Sequence, residues 1–129
     1  MSKPLALIIE DDRDSITMYQ YVLESTGYTT ESFTSGKNAL ERLDFVTPNI
    51  ILLDLNLPLV SGSKILDKIH NEERLKSVSV IVITGHSNLA SDLRADSEFL
   101  LLKPVSVDQL TNMILRLKDF DLKKSGKRE

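Results

Sequence analysis

Five polar side chains in this sequence stand directly behind apolar runs. Glu10 and Asp11 follow Leu5-Ala6-Leu7-Ile8-Ile9, Asp54 follows Ile50-Ile51-Leu52-Leu53, Thr84 follows residues 78–83, and Lys103 follows Phe99-Leu100-Leu101-Leu102. Three carboxylates brought together repel one another unless a cation offsets their charge. Hard divalent ions such as Mg²⁺ take oxygen ligands from one or two carboxylates, with water and phosphate completing the shell. A carboxylate beside such an ion can attack a phosphoryl group and form an aspartyl phosphate. An ammonium and a hydroxyl nearby then stabilise charge on the phosphoryl oxygens. In that chemistry Asp54 attacks, Asp11 and Glu10 hold the metal, Lys103 supplies the counter-charge and Thr84 a hydrogen bond.

The elements that must bring these groups together are legible in the apolar pattern. Residues 50–53 are consecutive large aliphatics, the mark of a strand buried on both faces of a parallel sheet, and Pro58 ends it. Residues 5–9, 78–83 and 99–102 read as further buried strands, and the threonine-rich stretch 28–33 as a weaker edge strand. Between them lie helical patterns. Asp14 or Ser15 is placed to cap a helix with Ile16, Tyr19, Val22 and Leu23 inward, stopped by Gly27. Ser35-Gly36 opens a second helix with Ala39, Leu40 and Leu43 inward, and Gly62, Ile65, Leu66 and Ile69 stripe a third. Residues 87–97 offer only Leu89, Ala90 and Leu93, enough for a short helix. Ser106 and Gln109 form a capping box before a last helix striped by Leu110, Met113, Ile114 and Leu117. Strand and helix thus alternate five times, which predicts an α/β fold: a parallel sheet with helices on both faces and right-handed crossovers. Parallel strands deliver all the candidate residues to one edge.

Composition limits the alternatives. The 129 residues suit one domain, and 41% hydrophobic with 27% charged residues is a globular composition rather than a disordered one. Without cysteine, disulfides, thiolate chemistry and zinc-thiolate sites are excluded. No apolar stretch approaches the roughly 20 residues that span a bilayer, and no basic-then-apolar leader opens the chain, so a cytoplasmic location with no membrane contact is expected. The net charge of -3 is too small to name a partner and gives no reason to expect nucleic acid. From Arg116 onward six Lys/Arg face three Asp/Glu, so a domain over 1–122 is expected to end in a basic, frayed tail over 123–129.

Taken together, Ile8-Ile9-Glu10-Asp11-Asp12, Leu52-Leu53-Asp54-Leu55-Asn56-Leu57-Pro58 with Gly62, Ile83-Thr84-Gly85 and Lys103-Pro104 resemble the receiver domain of two-component response regulators. The resemblance runs from about residue 5 to 118. It implies a flavodoxin-like, doubly wound five-stranded sheet of order 2-1-3-4-5, the order for which a receiver is a standing example. It also implies a non-enzymatic phosphoacceptor switch in a phosphorelay. Asp54 would take phosphate from a histidine kinase or phosphotransfer protein, with Mg²⁺ held by Asp11, Asp54 and the backbone carbonyl of Asn56, and Glu10 acting through water. Asn56 and His86 would flank the phosphoryl group and set its lifetime. Output would pass by contact to another protein or domain, with a homodimer compatible, from either a stand-alone receiver or one cut from a longer chain.

Three departures bear on the readout. Receivers commonly place Tyr or Phe three residues before Lys-Pro; here that position is Leu100, and Phe99 one residue earlier must face the other side of its strand. Gly85 replaces the usual Ala, and the segment between Thr84 and Lys103 is about three residues short. An interaction scaffold without phosphorylation is therefore one competing reading. A haloacid-dehalogenase-type phosphatase is less favoured, because its second Asp would be Asn56. A flavin protein is disfavoured because Glu10-Asp11-Asp12 would repel a phosphate. Asp12 and Asp14 read as helix-start acids, His70 as a helix-end residue, and Tyr19 and Tyr21 as packing.

Overall fold

The computed structural model describes residues 3–57, 62–85 and 99–125, with side chains to residue 119. Its strands are β1 (Leu5–Ile9), β2 (Thr29–Phe33), β3 (Ile50–Asp54), β4 (Ser79–Thr84) and β5 (Phe99–Leu102). Its helices are α1 (Arg13–Ser25), α2 (Gly36–Leu43), α3 (Gly62–Asn71) and α4 (Val107–Ser125), with a 3₁₀ turn over Glu73–Leu75. All strand pairings are parallel and the order is β2-β1-β3-β4-β5, as expected.

Alternation along the strands divides the core into two layers. Leu7, Ile9, Ile51, Leu53, Val80 and Val82 face α2 and α3, where Ala39, Leu43, Ile65, Leu66 and Ile69 meet them. Their neighbours Ala6, Ile8, Ile50, Leu52, Ile81 and Ile83 face α1 and α4, against Tyr19, Val22, Leu23, Leu110, Ile114 and Leu117. A continuous aliphatic run is what a strand covered on both faces requires, and every residue of β3 is buried. Phe99 packs into the α1/α4 layer and Leu100 into the α2/α3 layer, so the one-residue offset does turn the ring to the other face.

Several boundaries differ from expectation. Asp12, not Asp14 or Ser15, caps α1: its backbone is extended (φ -88°, ψ 118°) and its side chain accepts from the Ser15 amide at 2.9 Å. Ser15 is the donor, also giving its hydroxyl to Asp12 at 2.7 Å. The expected fifth buried strand is half-buried instead, because β5 lies at the sheet edge, where Leu102 is 47% exposed. Strand β4 starts at Ser79 and takes in Thr84, and β3 takes in Asp54, so these two groups belong to strand ends rather than to the loops beyond. Helix α4 continues to Ser125, three residues into the stretch expected as tail.

Helix ends are held by specific groups. Gly27, at φ 107°, takes the left-handed conformation that stops α1. The Lys118 ammonium of α4 donates to the Thr26 carbonyl and stands 4.8 Å from the Tyr28 ring centre. Ser106 and Gln109 form the expected capping box, amide to side chain in both directions at 2.9 and 3.1 Å. Among the described residues no helix is long and apolar enough to cross a membrane. The short helix expected over residues 87–97 lies outside the described residues.

Candidate functional site

The carboxyl ends of β1, β3, β4 and β5 converge at one edge of the sheet. Hydrogen bonds along the ladders continue just past the strands: the Glu10 amide donates to the Phe33 carbonyl at 3.0 Å, Leu55 to Ile83 at 3.3 Å and Lys103 to Thr84 at 2.9 Å. These bonds carry Glu10 and Lys103 one residue beyond their strands while fixing their direction. Glu10, Asp54 and Thr84 are almost wholly buried, at 1%, 3% and 0% exposure, while Asp11 is exposed. One carboxylate oxygen from each of Glu10, Asp11 and Asp54 falls within 4.8 Å of the other two.

Lys103 closes the cluster from β5. Its Nζ lies 3.2 Å from Asp54 Oδ2 and 3.2 Å from Glu10 Oε1. The other Asp54 oxygen, Oδ1, accepts the Asn56 amide at 3.0 Å, and Glu10 Oε2 accepts the Asp12 amide at 3.2 Å. Glu10 Oε1, fully buried, has no hydrogen-bond donor of good geometry among the described residues, leaving only the ion contact with Lys103. Burial first, then the Asp54 charge, push the Glu10 carboxyl up to about 7. Burial opposes the Lys103 ammonium, yet the attraction of Glu10 and Asp54 outweighs it and holds its pKa above the ordinary lysine value.

This donor set fits a hard cation. All the available groups are oxygens, two of the three carboxylates are buried, and one buried oxygen lacks a donor, an arrangement that is costly without a positive charge beside it. Lys103, the one cation that the described residues place against Glu10 and Asp54, meets only part of that demand.

Of the residues singled out in the sequence, Glu10, Asp11, Asp54, Thr84 and Lys103 are brought to the same edge, with Asn56 contributing its amide to Asp54. Leu100 stands below this edge, paired with Val82, two positions before the Leu102–Thr84 pair, so it does not reach the cluster. His86 lies outside the described residues. Two participants had not been singled out from the sequence. The Asp12 amide binds Glu10, which could have been inferred from the tight turn demanded between β1 and the α1 cap. Tyr19 had been read as packing only. Its hydroxyl is raised in pKa, first by burial and then by Glu10, nine residues earlier, a consequence of the folded arrangement that no local pattern reveals.

The sequence profile of the response regulator receiver domain matches residues 6–115. The polar-differentiation response regulator DivK of Brucella ovis is 29% identical over 111 residues, covering 84% of this chain and 90% of that protein. A CheY-like response regulator receiver domain protein from Methanospirillum hungatei JF-1 superposes with a TM-score of 0.83 at 26% identity, covering 95% of this chain and 99% of that one. The signal receiver domain of a signal transduction histidine kinase from Syntrophus aciditrophicus gives 0.79 at 25% identity, covering 88% and 89%. With five parallel strands in the receiver order, a profile match across most of the chain and an acidic cluster at the expected strand ends, this chain belongs to the response regulator receiver domain family.

Proposed function

We propose that the chain is a Mg²⁺-dependent phosphoacceptor switch in which Asp54 receives a phosphoryl group from a histidine kinase or phosphotransfer protein. The observation that carries this reading is the Lys103 ammonium at 3.2 Å from an Asp54 carboxylate that shares a 4.8 Å cluster with Glu10 and Asp11. Asp11, Asp54 and the Asn56 backbone carbonyl would hold the ion, with Glu10 beside it. When bound, the ion supplies positive charge against which the carboxylate and phosphoryl oxygens can approach one another.

The chain's own groups do the rest. An Asp54 oxygen forms the new O–P bond as the N–P bond to the donor imidazole breaks, and the imidazole leaves with its electron pair and takes up a proton from solvent. Lys103 offsets charge on the phosphoryl oxygens, and Thr84, at the end of the neighbouring strand, supplies a hydroxyl. The Asn56 amide keeps the Asp54 carboxylate oriented through Oδ1. On this reading the protein is regulatory, cytoplasmic and acts through protein contacts, in which His86 and Asn56 set the phosphoryl lifetime. Leu100, where receivers commonly carry an aromatic ring, favours a second reading, an interaction scaffold without a phosphorylation response.

One experiment separates the two. Incubation with Mg²⁺ and acetyl phosphate should raise the intact mass by one phosphoryl group, and Asp54→Asn should abolish the increase. An unchanged wild-type mass would sink the phosphoacceptor reading and leave the scaffold.

A further inference from the structure

The start of α3 is packed against the backbone of the phosphoacceptor itself. A β-carbon built on Gly62 would stand 2.6 Å from Leu55 Cα, 2.9 Å from the Asp54 carbonyl oxygen and 2.9 Å from Leu55 Cδ2. Two of these three atoms are main chain and cannot rotate aside. Leu55 is held through both of its peptides: its amide donates to Ile83 of β4 at 3.3 Å, and its carbonyl accepts the Gly62 amide at 3.2 Å. On either side of this clamped residue stand Asp54 and the Asn56 amide that binds Asp54 Oδ1 at 3.0 Å. Gly62 does not have a positive φ, so the demand is for close approach rather than for an unusual turn.

We propose that Gly62 is a positioning residue: by letting α3 sit on the Asp54–Leu55 peptide, it aims the Asp54 carboxylate at Lys103 and at the Glu10–Asp11 pair. The part of this that concerns phosphoryl transfer rests on Asp54 being the phosphoacceptor; the geometric part does not. A β-carbon at 62 must retreat from 2.6 Å to at least 3.4 Å, the onset of ordinary contact, so helix and peptide separate by about 0.8 Å. Misplacements near 1 Å cost up to about a hundredfold in steps that depend on alignment.

The test compares Gly62→Ala with the unaltered chain, with Lys64→Ala as a control on the exposed face of the same helix. Amide hydrogen exchange of Asn56 should quicken at least tenfold in Gly62→Ala while the amides of Ile8, Leu52 and Val82 stay protected. Phosphorylation by acetyl phosphate at saturating donor should slow at least tenfold, with half-saturation by the donor little changed. A folded Gly62→Ala whose Asn56 amide exchanges as in the unaltered chain would overturn the proposal, whether or not either protein is phosphorylated. If the unaltered chain takes no phosphate, the reading of Asp54 fails and the exchange rates alone decide on Gly62. Should Gly62→Ala not fold, Asp54→Asn supplies the reciprocal measurement. There the Gly62 and Asn56 amide resonances should move together, and a Gly62 resonance that stays in place would overturn the coupling.

Discussion

Replacing Glu10 by Gln should change how stability depends on pH. Glu10 is 1% exposed, and its carboxyl is raised from 4.5 to about 7, by burial first and by Asp54 second. Between these values the folded chain keeps a proton that the unfolded chain has lost. The unfolded state therefore binds fewer protons, and stability falls as pH rises from about 4.5 to 7, then levels off. A span of about 2.5 units at about 1.4 kcal/mol each gives a loss of about 3 kcal/mol. Gln is close in shape and never ionises, so Glu10→Gln escapes that loss. Urea unfolding of both proteins in chelator, at constant ionic strength from pH 4 to 8.5, measures it. The stability of Glu10→Gln relative to wild type should climb by about 3 kcal/mol between pH 4.5 and 7 and stay level above, since titrations of groups not coupled to Glu10 cancel in the difference. A difference that is flat or falls across this window would refute the account of Glu10 as a buried, partly neutral acid. Added Mg²⁺ should reverse the wild-type deficit at pH 8, because a cation that binds the ionised carboxylates stabilises the folded state by mass action.

Two further outcomes are expected. Lys103→Met removes a cation that lowers the Glu10 pKa, so the Glu10 titration midpoint, followed by carboxyl carbon NMR, should move above 7, and the phosphoryl uptake proposed for Asp54 should slow. Leu53→Ala empties a fully buried position next to Asp54 in the α2/α3 layer and should cost about 2–5 kcal/mol in urea unfolding, with the denaturant slope unchanged.

How far the sequence carried can be seen element by element. The strand ending in Asp54 was legible because four aliphatics in a row have few other uses, and the layer each residue faces follows from period two. The Gly62-Ile65-Leu66-Ile69 stripe was legible for the same reason, and all four are buried. The α1 cap was not, since Asp11, Asp12, Asp14 and Ser15 are all competent and the backbone angles of Asp12 decide. Burial of β5 was over-read from its leucines, because a run of leucine does not say whether its strand lies inside the sheet or at its edge. Nor did the 3₁₀ turn over Glu73–Leu75 show itself. Its Arg74 spans to the carbonyls of Leu43 and Val46 and to Thr47, partners about thirty residues back. That Glu10, Asp11, Asp54 and Lys103 would meet was readable from residue types at strand ends. The elevated Glu10 and the seat of α3 on the Asp54 peptide were not, for both depend on distances that only the folded chain sets.

The reach of two lysines back to the first helix and first strand sets a schedule for the newborn chain. Lys103 meets Glu10 across 93 residues, and Lys118 meets Thr26 across 92. At roughly 5–20 residues per second, a ribosome needs about 5 to 20 s after making Glu10 before its partner lysine exists. During that interval the acidic turn has no ammonium to face and the α1 side of β1 lacks its α4 cover. The acidic pocket is therefore among the last parts of the molecule that can be completed.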